Sequence, residues 1–198
     1  AYLMRMDQQS SENTVTLEQA VAEDVSLLQI SVEALMTDVE FVSGSGDSIR
    51  AEFVGSEASA LVDAYAEDDE GMASYTLQET RPSAFPRFDA IGRSELLVEL
   101  PRDVAVAISF TGAHGDVAVN AAGLDLERLN MTVLRGDALV SLPAYQPLSP
   151  SVQQYPGNLS LQSGDLVLVI PAEVGGRFAL DRSRSQRPEF DDSAYILI

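Results

Sequence analysis

The chain has 198 residues, of which 45% are hydrophobic and 22% are charged, so it can form one folded domain with a sizeable core. With 31 acidic residues against 12 basic ones, the net charge of −19 argues against nucleic acid and anionic lipid as partners. Cysteine is absent, which excludes disulfides, thiolate metal sites and cysteine nucleophiles and is compatible with both the cytoplasm and a bacterial envelope. No apolar run has the length of a membrane span, so we expect no direct membrane insertion by this segment.

The N-terminal part is predicted to be a flexible lead-in followed by strands. Residues 7–13 are polar and rich in turn formers, so we expect a lead-in over residues 1–13 and the folded domain over residues 14–198. Residues 16–28 show helical spacing, but residues 14–17 and 25–32 alternate and contain many β-branched side chains. We therefore expect two strands joined by an acidic turn here, and not a helix.

A strand, a turn and a second strand are predicted next. Apolar runs at 39–42 and 49–53 flank a turn that contains Gly44, Gly46 and Asp47. Glycine takes a positive φ at little steric cost, and an aspartate side chain can bond a nearby backbone N–H. We expect these three residues to turn the chain, with positive φ at the two glycines.

The middle of the chain is predicted to contain a hairpin and a long connection. Strands at 60–66 and 73–77 flank the acidic run 67–71, which is interpreted as a solvated hairpin tip. Residues 78–93 carry two prolines and three arginines, so we expect a surface connection at which the domain could divide into two sub-sheets. Strands dominate after it, at 96–100, 104–110, 117–119, 129–133, 139–142, 159–161, 166–170, 177–180 and 195–198.

Short units recur in the second half of the chain. Three apolar–proline pairs each close a strand-like run, and three glycine–aspartate pairs each open one. The pairs are Leu100-Pro101, Leu142-Pro143, Ile170-Pro171, Gly115-Asp116, Gly136-Asp137 and Gly164-Asp165. The glycine–aspartate pairs lie 21 residues apart (115 to 136) and 28 apart (136 to 164), close to one solenoid turn. We expect an all-β fold, either a single-domain β-solenoid of the right-handed β-helix type or stacked β-sheets.

These repeated pairs, with the run Val39-Glu40-Phe41-Val42 before the Ser-Gly-Ser-Gly-Asp turn, resemble the putative-adhesin domains of bacterial cell-envelope proteins, including the toast-rack type. The resemblance covers about residues 14–198. It implies a β-solenoid or stacked sheets, no catalytic residues, no cofactor, and a place in the envelope or at the surface within a longer anchored protein. The long connection and the proline-rich residues 144–157 depart from this pattern and leave the number of units open.

Candidate catalytic residues are few. His114 is the only histidine and is expected to be a turn residue, since no partner for a triad or a metal site is evident. Asp116, Asp137 and Asp165 could form a catalytic row, as in a polysaccharide lyase or glycoside hydrolase on a β-helix. An aspartate after glycine more often bonds the backbone of its own turn, and we expect that structural role. Calcium is an alternative ligand for the acidic residues 67–70, which lack the order of an EF-hand loop.

A basic patch lies near the C-terminus of the acidic chain. Arg177, Arg182, Arg184 and Arg187 could contact an anionic glycan or an acidic face of a second copy, or form a solvated loop. The apolar residues 195–198 suit an edge strand that self-associates, or truncation within a longer protein.

The expected function is that of a non-catalytic envelope or surface domain in adhesion, scaffolding or envelope sensing. Its expected partner is an envelope polysaccharide or another envelope protein. The alternatives are a carbohydrate-active enzyme and a self-assembling scaffold. Solvent-facing carboxylates beside an arginine in a deep groove would favour the enzyme.

Overall fold

The computed structural model describes residues 13–55, 59–81, 93–144 and 157–171. Within these ranges the chain forms twelve β-strands and no helix, which confirms the all-β prediction. No helix in the described ranges has the length and apolar character needed to cross a membrane.

The strands vary from 4 to 17 residues in length. Their bounds are β1 (Asn13–Ala20), β2 (Leu27–Ser43), β3 (Ser48–Gly55), β4 (Ala60–Glu67), β5 (Met72–Thr80), β6 (Ser94–Leu100), β7 (Ala105–His114), β8 (Val117–Asn120), β9 (Asp125–Arg135), β10 (Ala138–Ser141), β11 (Gly157–Leu161) and β12 (Leu166–Val169). Leu100 is the last residue of β6, and Leu142 and Ile170 directly follow β10 and β12. The proline after each of them cannot continue the strand pairing, because it has no N–H.

All of these strands belong to one hydrogen-bonded sheet, in which β2 joins two arms. Arm A has the order β1-β3-β6-β2-β8-β10-β12 and uses residues 37–43 of β2. Arm B has the order β4-β5-β2-β7-β9-β11 and uses residues 27–36 of β2. Pairing is parallel except at β1–β3, β3–β6 and β4–β5.

The parallel pairing follows from the path of the chain. β7 leads into β8, β9 into β10 and β11 into β12, and each time the chain passes from arm B to arm A. β2 makes the same passage within a single strand. Equivalent strands of successive passages therefore lie side by side in the same direction, about 4.8 Å apart.

The inward faces of the two arms share one hydrophobic core. Phe41 of arm A meets Phe110 of arm B edge to face, with ring centroids 6.1 Å apart. The buried positions of β2 are even-numbered from Leu28 to Ala34 and odd-numbered from Thr37 to Phe41. This change of phase marks the corner at which β2 leaves arm B for arm A.

The N-terminal strand prediction is confirmed in type but not in length. Residues 16–28 contain the end of β1, a turn and the start of β2, and no helix. The strands predicted separately at 25–32 and 39–42 are two parts of the continuous β2, so that division was wrong. The buried positions change from even to odd numbers between Ala34 and Thr37. In the sequence this change looks like the end of a strand, although the backbone of β2 continues.

The turn between β2 and β3 lies where it was predicted, but Gly44 and Gly46 do not have the expected positive φ. Gly44 instead permits a close approach, since its N–H donates to the carbonyl oxygen of Leu100 (2.7 Å). A Cβ at Gly44 would lie 3.3 Å from that same oxygen. The carbonyl oxygen of Asp47 accepts a hydrogen bond from the N–H of Val21 (3.2 Å).

Other predictions are tested only in part. The hairpin tip at 67–71 joins the antiparallel strands β4 and β5, as expected. The connection predicted from residue 78 begins later, because β5 continues to Thr80 and buries Glu79. The lead-in up to residue 12, residues 82–92 of the connection and residues 145–156 of the proline-rich segment lie outside the described residues. So does everything after residue 171, including the predicted strands 177–180 and 195–198 and the patch of Arg177, Arg182, Arg184 and Arg187.

Candidate functional site

Three passages from arm B to arm A turn on a glycine. Gly115, Gly136 and Gly164 have φ of 138°, 146° and 130°, values that residues with a side chain rarely adopt. A Cβ at Gly136 would lie 1.8 Å from the carbonyl oxygen of Gly115, and one at Gly164 would lie 1.9 Å from that of Gly136. Glycine is required at these corners both by the backbone angle and by the neighbouring backbone.

The aspartates that follow these glycines are connected along arm A. The N–H of Asp116 donates to Oδ1 of Asp38 (2.8 Å), that of Asp137 to Oδ1 of Asp116 (2.9 Å), and that of Asp165 to Oδ1 of Asp137 (2.9 Å). We call these four residues the aspartate ladder. Asp116 and Asp137 each accept a hydrogen bond from the neighbouring turn and not from their own, so the expectation of a bond to the own turn was wrong for these two. The reason is that parallel strands place the equivalent N–H one strand spacing away.

The corner of β2 is built without glycine. It is held by Glu79 of β5, whose Oε2 accepts hydrogen bonds from the N–H of Leu35 (2.6 Å), the N–H of Met36 (2.9 Å) and the hydroxyl of Thr37 (2.8 Å). A carboxylate more than 40 residues away in sequence thus satisfies the backbone at this corner. We call this arrangement the Glu79 corner.

Glu79 is buried, with a side chain only 1% exposed. Its Oε1 accepts a hydrogen bond from the hydroxyl of Ser59 (3.3 Å) and lies 3.3 Å from Nε of Arg81. Burial raises the pKa of Glu79, but the hydrogen bonds from the β2 corner and the charge of Arg81 together lower it by more. The pKa of Glu79 therefore lies below its ordinary value, so the carboxylate that holds this corner is ionised at neutral pH.

The outer face of arm A forms a groove of about 820 Å³, and this groove is the candidate site. Its lining contains seven carboxylates and no basic residue. These carboxylates are the four of the aspartate ladder together with Glu40, Glu52 and Glu95. Beside the ladder, Ala118, Leu139 and Val167 stand in register on adjacent strands. Leu139 and Val167 are 46% and 51% exposed, so the groove combines negative charge with apolar surface.

Arg93 makes two ion pairs with the ladder. Its Nη1 lies 3.5 Å from Oδ2 of Asp38 and 3.5 Å from Oδ2 of Asp116. All three side chains are at least one-third exposed, so these ion pairs are solvated and contribute little to stability. Asp38 and Asp116 each use Oδ1 for the fold and present Oδ2 to a cation.

The other candidate residues that the structure describes are His114 and the acidic hairpin tip. His114 is the exposed last residue of β7, so its prediction as a turn residue was wrong by a short distance. At the hairpin tip, Oδ1 of Asp68 accepts hydrogen bonds from the N–H groups of Glu70 and Met72 (2.9 Å each). Among the residues that the structure describes, no group of three or more histidine, aspartate or glutamate side chains is arranged to hold a metal ion.

The sequence analysis missed six residues of the site and its corners, of which two left a signal. They are Asp38, Glu40, Glu52, Glu79, Arg93 and Glu95. Glu79 continues the alternation of Ala73, Tyr75 and Leu77, which assigns it to the inward face of β5. Asp38 precedes an alternating apolar run just as Asp116 does, but lacks the glycine that marks the other corners. Arg93 gave no signal, because its contacts to the ladder span 55 and 23 residues.

The fold is similar to that of one solved structure, described as a putative cell adhesion protein from Clostridium sporogenes ATCC 15579. The TM-score is 0.57 at 10% sequence identity, and the match covers 80% of this chain and 97% of the other. Similarity at this level of identity concerns the fold alone. No family model and no curated protein sequence matches this chain.

Proposed function

We propose that this chain is a non-catalytic domain of a bacterial envelope or cell surface, and that it uses the arm A groove to bind an envelope component. The observation that carries this proposal is the groove itself, in which neighbouring strands of arm A present seven carboxylates and exposed apolar side chains on one face. The similarity in fold to a cell adhesion protein supports an adhesion-like role. The side-by-side order of successive passages supports a solenoid-like, adhesin-type domain, as the sequence resemblance implies.

The proposal is tested by co-sedimentation of the purified chain with peptidoglycan, polysaccharide and membrane fractions at low and high salt. The groove variant Glu40→Gln/Glu95→Gln removes two carboxylates from the site. The control variant Asp69→Asn/Glu70→Gln removes two from the hairpin tip, outside the groove. We expect saturable sedimentation with one fraction, weakened in the groove variant and unchanged in the control. Sedimentation no greater than that of an unrelated protein of equal charge would contradict the proposal.

A carbohydrate-active enzyme is the second candidate, because Arg93 lies beside Asp38 and Asp116 at the groove. Carboxylates on adjacent strands, about 5 Å apart, would also suit a retaining glycosidase. Such an enzyme needs one carboxyl group as a protonated acid and the other as an ionised nucleophile, which requires different environments. Asp116 and Asp137 differ in that Arg93 pairs with Asp116, but both are exposed and neither is buried as the protonated acid of such an enzyme is.

The two candidates are separated by incubating the chain with envelope polysaccharides and measuring new reducing ends and unsaturated products. The non-catalytic proposal expects none above a blank. Product formation that disappears in Asp116→Asn would overturn it in favour of the enzyme.

A further inference from the structure

We propose that the arm A groove binds an arginine-bearing polypeptide segment of a partner protein, with guanidinium groups bridging successive carboxylates of the aspartate ladder. This inference rests on the proposed function and specifies the chemistry of its ligand. The partner is thus a basic protein segment, and neither a polysaccharide nor a small cation.

The chain itself already pairs one arginine with the aspartate ladder. Arg93 places one guanidinium nitrogen 3.5 Å from Oδ2 of both Asp38 and Asp116. The ladder continues along arm A, since the N–H of Asp137 donates to Oδ1 of Asp116 and the N–H of Asp165 donates to Oδ1 of Asp137 (2.9 Å each). Among the described residues neither Asp137 nor Asp165 takes part in an ion pair. The strand repeat therefore places these two carboxylates one and two strands beyond the Arg93 contact, at equivalent positions of the turns.

An exposed apolar surface lies beside Asp137 and Asp165. Leu139 and Val167 follow them by two residues on β10 and β12, on the same outward face, and are 46% and 51% exposed. The side chain of arginine has an aliphatic stem that packs on such a surface while its head reaches a carboxylate. A small inorganic cation would leave this surface uncovered, whereas a polypeptide would bury it.

The spacing of the ladder distinguishes arginine from lysine as the ligand. Adjacent ladder positions are about 4.8 Å apart, the spacing of neighbouring strands. A planar guanidinium presents donors along two edges and can reach two carboxylates, whereas an ammonium is a single compact charge that is strongly hydrated. Arg50 and Arg93 pair with three of the seven carboxylates in the groove lining, and the other four, which make no ion pair among the described residues, are complementary in charge to such a segment.

The experiment measures the binding of two labelled peptides of equal length and charge to the full chain at physiological salt. One peptide carries arginines separated by alanines and the other carries lysines at the same positions. The proteins are the wild type, the ladder variant Asp137→Asn/Asp165→Asn, and the control variant Asp69→Asn/Glu70→Gln. Asparagine retains an Oδ1 acceptor for the neighbouring N–H, and the two variants lose the same net charge.

We expect the arginine peptide to bind the wild type more tightly than the lysine peptide does. The ladder variant should lose about tenfold in affinity for the arginine peptide, and the control less than about twofold. Equal losses in both variants would reduce the effect to net charge and overturn the proposal. Equal binding of the two peptides, or no binding, would also overturn it. Sedimentation with an envelope fraction by a wild type that binds neither peptide would leave the proposed function standing while this inference fails.

Discussion

The same corner between the arms is built in two ways within this molecule. At Gly115, Gly136 and Gly164 the chain turns on a local glycine–aspartate pair, and each turn stacks on the previous one. At the Glu79 corner the backbone continues as a strand, and its N–H groups are satisfied by a buried carboxylate from β5. In a repeated fold, the same corner can therefore be specified by two adjacent residues in some units and by a residue distant in sequence in another.

The largest expected effect belongs to the glycine corners. Gly136→Ala forces a side chain into a positive φ and against the carbonyl oxygen of Gly115, so we expect a loss of about 3–5 kcal/mol in unfolding free energy. The measurement is equilibrium denaturation in urea. The matched control is Gly46→Ala, because a Cβ there meets nothing within 4 Å. Equal midpoints for the two variants would remove the steric account of the corner.

The Glu79 corner should come second. Glu79→Ala leaves the N–H groups of Leu35 and Met36 and the hydroxyl of Thr37 without their acceptor, which should cost about 2–4 kcal/mol. Urea denaturation measures the loss, and Glu33→Ala on the exposed face of β2 is the control. If both variants unfold at the same urea concentration, Glu79 does not stabilise the corner.

A smaller effect is expected from acid. The pKa of Glu79 in the folded chain lies below its ordinary value of 4.5, so its contribution is fully present above that pH and is lost as the pH falls through the folded pKa. The stability difference between the wild type and Glu79→Gln should therefore shrink below about pH 4.5. The check is denaturation of both proteins at a series of pH values. A difference that stays constant down to pH 3 would show that the charge of Glu79 is not what stabilises the corner.

The smallest effect is expected in the aspartate ladder. Asp137→Ala removes the acceptor for the N–H of Asp165 at an exposed position and should cost about 0.5–1.5 kcal/mol. Asp137→Asn keeps that acceptor and should be nearly neutral. Melting temperatures of the two variants test this, and an asparagine variant as unstable as the alanine variant would show that the charge, and not the hydrogen bond, holds the ladder.

Features that adjacent residues specify could be predicted from the sequence, and features that depend on residues distant in the chain could not. The glycine–aspartate corners could be located because the turn depends on two adjacent residues with known backbone preferences. The partner of each aspartate could not, because it lies 21, 28 or 78 residues away and is defined only by strand pairing. The groove was missed for the same reason, since its carboxylates come from strands that are distant in sequence.

β2 shows where a local reading fails. Its two apolar runs were correctly assigned to strands, but they were assigned to two separate strands, although the backbone continues from Ala34 to Thr37. Nothing near that position reveals that Glu79 supplies the acceptor that lets the strand bend without a turn. The alternation of β5 does assign Glu79 to an inward position, but not to a partner.

The strand content, the turns at the glycines and the strong acidity could be predicted from the amino-acid sequence alone. Each of them depends only on a residue and its immediate neighbours. Tertiary structure decided which strands pair, that β2 crosses both arms, and that carboxylates from separate strands line one groove. Those outcomes depend on burying the inward faces of both arms in a single core. Burial couples residues regardless of their distance along the chain, so no local pattern can specify it.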